Sequence, residues 1–505
     1  MFFKRRTIFG LLSNALEHTH KTSLFSLFSG FLATTRSMLF LLFCFYLLVV
    51  SGEEEYLFWE ACEKGDVMSM GALSDKVDVN FEDEGGRTPL LLTILHRRRE
   101  ATRWLVKETK VDVDLVGRWP GPRETPFAVA AAMGDVVTME ILVEAGANVN
   151  FGEPLVAAAA QGQTEALKFL LGVGAEIDRQ REGASAAALA ASGCHPESLE
   201  VLLDHGASLK GEDTSLLHLA AQAESIECVK ILLERGADPE GRSQVLRPAH
   251  NENPSRDELR GGLTPLMSAA AAGNLEAVKL LVKNVNAFDA SGMNAMAWAC
   301  QVPNGQRTTE ILVELHRNNS RDDSLTLDGR FLMHVAAESG NARAIAWLVD
   351  IRNHPVDLLS AKKQTPLFCA VTKKANKVAI NALLRRGADV NYRDPKDKAT
   401  PLIAAVIAGD KLIVKLLLKH GADPLLTLAT GEFPSQLAPK TPQGRQLKFA
   451  LSKAERAAYL RLHSKDTTTR NEPPAEEVGE TQVVEDLFLE DDEEDPSSEQ
   501  QQDEL

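Results

Sequence analysis

The residues best equipped for covalent or metal chemistry are the six cysteines, Cys44, Cys62, Cys194, Cys228, Cys300 and Cys369, in a chain of 505 residues. A thiolate metal site gathers its ligands at short spacings such as CxxC, often with histidine nearby. The six thiols are instead far apart, with no CxxC and no histidine partner at ligand spacing. Neither a zinc site nor a disulfide framework follows. Nucleophilic catalysis would call for a Ser/His/Asp or Cys/His set, phosphate chemistry for a Gly-rich loop, and metalloprotease chemistry for HExxH. None is present, so the sequence assigns no catalytic residue, no metal and no cofactor. Charge excludes a further class. With 55 Lys and Arg against 71 Asp and Glu, the chain lacks the basic excess that nucleic-acid binding needs.

What remains is the chemistry of recognition. "GRWPGPRE" places Trp119 between Arg118 and Arg123. Trp and Arg are the residue types most enriched at binding hot spots, so this stretch is a candidate partner contact, against the plainer reading that Trp119 packs on its neighbours. "HRRRE" offers Arg97 and Arg98 as a local basic patch for an acidic peptide, against the plainer reading of a solvated turn. From Ser464 to Leu505 sixteen Asp and Glu face two Lys and Arg, a net of −14. This tail cannot bury a core and is expected to be disordered. Its carboxylates suit weak calcium binding, and Leu487-Phe488-Leu489 suits a linear motif.

The elements that position these residues are repetitive. "TPFAVAAAMGDVVTMEILVEAGANVN" from Thr125, "GLTPLMSAAAAGNLEAVKLLV" from Gly262 and "TPLIAAVIAGDKLIVKLLLKHGADP" from Thr400 are one pattern. Thr caps a first helix and Pro occupies its first position. Small alanines let helices approach, and a Gly in the left-handed conformation ends each helix. The Thr-equivalent positions are Thr88, Thr125, Glu153, Ala184, Ser215, Thr264, Asn294, Phe331, Thr365 and Thr400. First helices end at Gly134, Gly162, Gly193, Gly273, Gly340 and Gly409. The pattern resembles the ankyrin repeat, whose period is about 33 residues. The resemblance implies an all-α solenoid of about ten helix-turn-helix repeats with β-hairpin fingers, binding proteins through finger tips and inner helices. It also implies that His218 and His334 hydrogen-bond backbone between repeats. The repeats at Ala184, Asn294 and Phe331 lose the Thr-Pro pair, and those at Asn294 and Phe331 also lack the Gly-Ala that ends the second helix, so a bent or loosened stack is expected at these two.

The organisation read from this is a leader over 1–52 with a hydrophobic segment at 38–50, an N-terminal cap over 56–86 and repeats over 87–430. A capping region over 431–463, with a polar outer face, and the acidic tail over 464–505 follow. The step from Thr125 to Glu153 is short, which clips one finger, and residues 240–262 form an inserted finger. Met38 to Val50 has the length of a signal-peptide core rather than of a full span. An uncleaved anchor and a start at Met38 stay open. Lys4, Arg5, Arg6, Lys21 and Arg36 before it, with Glu53, Glu54 and Glu55 after it, send the repeats across the membrane. Gln502-Asp503-Glu504-Leu505 resembles the KDEL retrieval signal with Gln at its first position. The expectation is a scaffold in the endoplasmic reticulum lumen, with the sequon at Asn318 in an exposed loop and glycosylated. The alternatives are a membrane-anchored or soluble cytosolic adaptor, and a regulatory subunit of an enzyme complex.

Overall fold

The computed structural model describes residues 53–464, apart from 84, 117–124, 212–214, 224, 245–261, 304, 306, 324–325 and 327–328. These fall into two compact units that divide between Glu212 and Asp213.

In the first unit, helices 53–64 and Val67–Leu73 precede a series of antiparallel helix pairs. Thr88 shows how each pair begins. Its hydroxyl accepts the Leu91 N–H, satisfying one of the donors a helix start leaves open, and Pro89 follows where no N–H is needed. Thr125 does the same for Pro126–Ala132. First helices stack on first helices, Pro89–Leu95 on Pro126–Ala132, then Pro154–Ala160, then Ala186–Ser192. Their contact faces carry fully buried alanines, Ala130, Ala131, Ala158, Ala159, Ala190 and Ala191, which bring the backbones close. Second helices, such as Arg99–Glu108 and Val136–Glu144, stack in their own row and bury Leu105, Leu142 and Leu170.

Two positions depart from the sequence pattern. Ser185, not Ala184, caps Ala186–Ser192, because only the hydroxyl can accept the Ala188 N–H. Gly193 has φ −82° and stays right-handed, and Cys194 takes the left-handed turn at φ 60°. The clipped finger is closed by consecutive left-handed residues, Gly152 at φ 75° and Glu153 at φ 49°, so Glu153 cannot cap as Thr does.

The second unit repeats the plan from Leu216–Gln222 to Lys411–Lys419, then adds a 3₁₀ turn at Pro434–Leu437 and a helix at Pro442–Ser464. Loosening at the Asn294 and Phe331 repeats is not observed, since Pro265–Ala272, Ala295–Gln301, Leu332–Ser339 and Pro366–Thr372 stack in sequence. Substitute chemistry explains this. Asn294 caps through its amide oxygen, which accepts the Ala297 N–H at 2.9 Å. The missing terminal glycines are replaced by Asn319 at φ 61° and Asn353 at φ 56°. Asn tolerates the left-handed region better than most side chains. The helix after Leu332–Ser339 widens into a π turn at Trp347–Ile351 as it reaches Asn353.

Among the described residues the fingers are tight turns, and one forms a strand pair, Gln180–Arg181 with Ala184–Ser185. The described ends of the inserted finger are pinned. Ser243 and Leu263 pair through the Ser243 N–H and the Leu263 carbonyl, and Arg242 donates to the Gly262 and Phe288 carbonyls. The outer face of the capping helix is polar only in part, with Arg445, Lys448, Lys453 and Arg456 exposed. The helix buries Leu447, Ala450 and Leu451 but leaves Phe449, Tyr459, Leu460 and Leu462 more than half exposed. Its 23 residues run about 34 Å at 1.5 Å per residue, longer than the surface offered by one repeat.

Candidate interaction surface

Asp or Asn residues at the base of several fingers join neighbouring repeats. Asn80 accepts the Asp112 N–H at 2.7 Å and Asp114 accepts the Asn148 N–H at 3.1 Å, while Asn150 accepts the Glu176 N–H at 2.9 Å. In the second unit Asn391 accepts from Asp423 N–H at 2.7 Å and donates to the Gly421 carbonyl at 3.2 Å. Within each unit these rungs tie one described finger base to the next.

The first finger carries an aromatic and cationic cluster. Trp59 of helix 53–64 meets Phe81 with ring centroids 5.9 Å apart. The Arg87 guanidinium lies over the Trp59 ring at 5.3 Å, a cation–π placement. Asp83 organises the turn. It accepts the Arg87 backbone N–H at 2.8 Å and holds the same guanidinium at 2.7 Å from Nη2. Tyr56 and Leu57 of the same helix as Trp59 are half exposed. Sequence spacing alone does not bring Trp59, Phe81 and Arg87 together; the available signal was a Trp in the cap and a Phe just past a finger-base Asn.

Arg118, Trp119 and Arg123 lie outside the described residues, as do Gln502, Asp503, Glu504 and Leu505. Arg97 and Arg98 are exposed, and each has a donor fastened across the stack: Arg97 Nη2 to the Met133 carbonyl at 3.3 Å, Arg98 Nε to the Glu63 carbonyl at 2.9 Å. Arg97 itself sits at φ 55° in the turn. The neighbouring Arg99 pairs with the buried Asp135 at 2.8 Å. Burial alone would raise the Asp135 carboxyl, but hydrogen bonds from Arg99 and Thr138, with the Arg99 charge, outweigh it and hold the carboxyl below the usual range.

Histidine and cysteine behave structurally. His218 Nδ1 takes the Ser215 hydroxyl at 2.8 Å and Nε2 meets the Leu263 carbonyl at 2.8 Å. Ser215 therefore caps the imidazole and not its helix. His334 joins the Phe331 N–H to the Gln364 carbonyl in the same manner. Burial pushes the thiols of Cys62, Cys300 and Cys369 up to about 12, whereas Cys194 is exposed. Among the described residues no group of three or more His, Cys, Asp and Glu is placed to hold a metal, and no helix is long and apolar enough to cross a membrane. The Met38–Val50 segment lies outside them.

Asn318 is not in an open loop. It follows helix Thr308–Arg317, is half buried, and its amide donates to the Glu314 carbonyl at 2.8 Å, while Ser320 is buried. A helix end needs partners for its last carbonyls, and the sequon asparagine supplies one.

A stack of helix pairs joined by tight fingers, with recognition groups on the first finger, defines a helical repeat protein whose surface serves binding. A model of three copies of the ankyrin repeat matches residues 155–243, 241–323, 302–394 and 332–427, more than half of the chain. The chain belongs to the ankyrin-repeat family. It is similar to Ankyrin repeat and KH domain-containing protein mask-1 of Caenorhabditis elegans, 29% identical over 253 residues, covering 49% of this chain and 9% of that protein. It is also similar to the E3 ubiquitin-protein ligase KEG of Arabidopsis thaliana, 24% identical over 353 residues, covering 66% of this chain and 19% of that protein. Among solved structures, the human ASB11 ankyrin repeat domain aligns at 18% identity with a TM-score of 0.35, covering 51% of this chain and 96% of that one. The chain spans less than a fifth of the length of these curated relatives.

Proposed function

We propose that this ankyrin-repeat chain is a non-enzymatic scaffold that engages a protein partner along its first fingers. The observation that carries the reading is the Trp59–Phe81–Arg87 cluster, an aromatic and guanidinium platform on a turn fixed by Asp83. Such groups supply most of the energy of typical interfaces. Arg118, Trp119 and Arg123 belong to the next finger in chain order and extend the same chemistry. Arg97 and Arg98 contribute positive charge while helping to lock adjacent repeats. The test is affinity for the partner recovered with the full chain. Trp119→Ala and Arg87→Ala should each weaken binding by about thirtyfold, as hot-spot truncations of about 2 kcal/mol do, with unchanged melting. A fall in melting temperature that accounts for the lost binding would make these residues packing elements and sink the reading.

For location, the charge asymmetry around Met38–Val50 and the C-terminal Gln502–Leu505 support the endoplasmic reticulum lumen. The second reading, a membrane-anchored or soluble cytosolic adaptor, takes Met38–Val50 as a tether or as an untranslocated segment and Gln502–Leu505 as a chance resemblance. A regulatory subunit of an enzyme complex is compatible with either location. Protease added outside sealed microsomes separates the two locations. A protected repeat region supports the lumen, and complete digestion supports the cytosol.

A further inference from the structure

The last repeats of the second unit are strongly basic. Residues 373–464 hold seventeen Lys and Arg against seven Asp and Glu, a net of +10, in a chain whose total is −16. The tail that follows at once is the chain's most acidic stretch, at −14. On this basic region lies a groove of about 420 Å³, lined by Lys374, Asp410, Lys411, Leu412, Gln443 and Gln446. Asp410 is committed to the start of its own helix, accepting the Ile413 N–H at 3.0 Å. Exposed apolar side chains include the groove's own Leu412 at 59%, Ile407 at 55%, next to the lining residue Ala408 in sequence, and Phe449 at 73%, one turn beyond the lining residue Gln446. Gln446 and Phe449, three residues apart, are neighbours on the surface of the capping helix. Lys448 and Lys453 are exposed on the same helix.

We propose that this groove docks the chain's own segment Val483–Asp495. Leu487-Phe488-Leu489 would seat against Ile407, Leu412 and Phe449. The flanking Glu485, Asp486, Glu490, Asp491 and Asp492 would meet Lys374, Lys411 and Lys448. The segment matches the groove in both respects: it joins the tail's bulkiest apolar run to its densest charge, and the groove offers apolar surface among cations.

The chain can make the return. The capping helix carries the tail's start about 30 Å from the groove, at 1.5 Å per residue. The residues from Ser464 to Leu487 reach at most about 75 Å when extended, and about 26 Å as a relaxed chain. A tether of this length gives an effective concentration on the order of 1 mM, so an intrinsic affinity of about 100 µM fills the groove most of the time. An acidic partner of this face would have to displace the tail.

Carbodiimide coupling of the full-length protein, read by mass spectrometry, tests this. It joins lysine amines only to carboxylates in contact. Mixing isotopically heavy and light protein distinguishes links within a chain from links between chains. The expected result is within-chain links from Lys374, Lys411 or Lys448 to Glu485–Asp495. They should fall at least tenfold in a variant carrying Leu487→Ala, Phe488→Ala and Leu489→Ala, which lies wholly in the tail and leaves the repeats intact. Lys374→Glu with Lys448→Glu should give the same loss. Links that join heavy to light chains would assign the groove to a second copy and overturn the proposal. So would an absence of links, or a yield unmoved by the tail substitutions.

Discussion

Asp135 concentrates several demands in one side chain. It accepts from the Thr138 N–H at the start of Val136–Glu144, takes the Thr138 hydroxyl at 2.8 Å, and pairs with Arg99 of the preceding repeat. Asp135→Asn keeps an acceptor for the cap and loses the charge attraction. Asp135→Ala loses both and leaves Arg99 without its carboxylate. We expect a destabilisation of about 2 kcal/mol for Ala and about half of that for Asn, read from denaturant melts. Equal losses would show that the charge pairing with Arg99 alone matters, and an Asn variant as stable as the parent would show that the cap alone does. Acid should act through the same group. Its folded value lies below the unfolded one, so its contribution is complete above about pH 4 and is lost as the pH falls through the folded value. His218 acts earlier. Burial lowers its value, partly offset by the hydrogen bond to the Leu263 carbonyl. Below about pH 6.5 the unfolded chain therefore takes up the proton first, and stability falls. A melting temperature that is flat from pH 7 to 5 would contradict this assignment. Cys194 carries a left-handed strain that glycine avoids. Cys194→Gly should stabilise by up to about 1 kcal/mol.

At the scale of elements, the inserted finger is anchored by its ends. Arg242, Ser243, Gly262 and Leu263 make the contacts that tie it to the stack. Deleting residues 245–261 and bridging the gap with two glycines should leave a single cooperative melt, because stability in repeat stacks is a sum of repeat and neighbour terms. Broad or biphasic melting would show that the deleted residues contribute a neighbour term. The rungs make the opposite prediction. Asn391→Ala removes both an acceptor for the Asp423 N–H and a donor to the Gly421 carbonyl, and should cost about 1–2 kcal/mol although the residue lies in a connecting segment. Thermal melts of the two variants side by side distinguish the cases.

For the whole molecule, the question of compartment meets the packing of the sequon. Asn318 and Ser320 are engaged in the folded repeat, so a glycosylating enzyme would have to read them before the repeat closes. If the repeats enter the lumen, glycan at Asn318 should therefore be partial and should rise when folding is slowed by a destabilising core substitution such as Leu315→Ala. A mobility shift removed by endoglycosidase measures it. An absence of glycan from both proteins, together with digestion by external protease, would place the repeats in the cytosol.

The repeat itself was legible in the sequence, because its determinants are local: Thr88, Thr125, Thr264, Thr365 and Thr400 each cap a helix whose next residue is Pro. The bridging of His218 and His334 between repeats was implied by the family resemblance. Packing decided what the pattern leaves open. Ser215 had a capping hydroxyl by sequence, yet the nearby imidazole of His218 claims it. Gly193 stood where a left-handed turn was due, yet the chain turns one residue later. Asn319 and Asn353 supply the left-handed helix ends of the two repeats that lack a terminal glycine. The polar cap reads as such along the sequence, but a helix longer than its seat leaves Phe449, Tyr459, Leu460 and Leu462 uncovered. Trp59, Phe81 and Arg87 meet only because the first finger folds back on the cap. A sequence specifies its capping and its period within a few residues, so those can be read directly. Which donor reaches which acceptor, and which apolar face finds cover, depends on neighbours about thirty residues away, and only the folded chain brings them together.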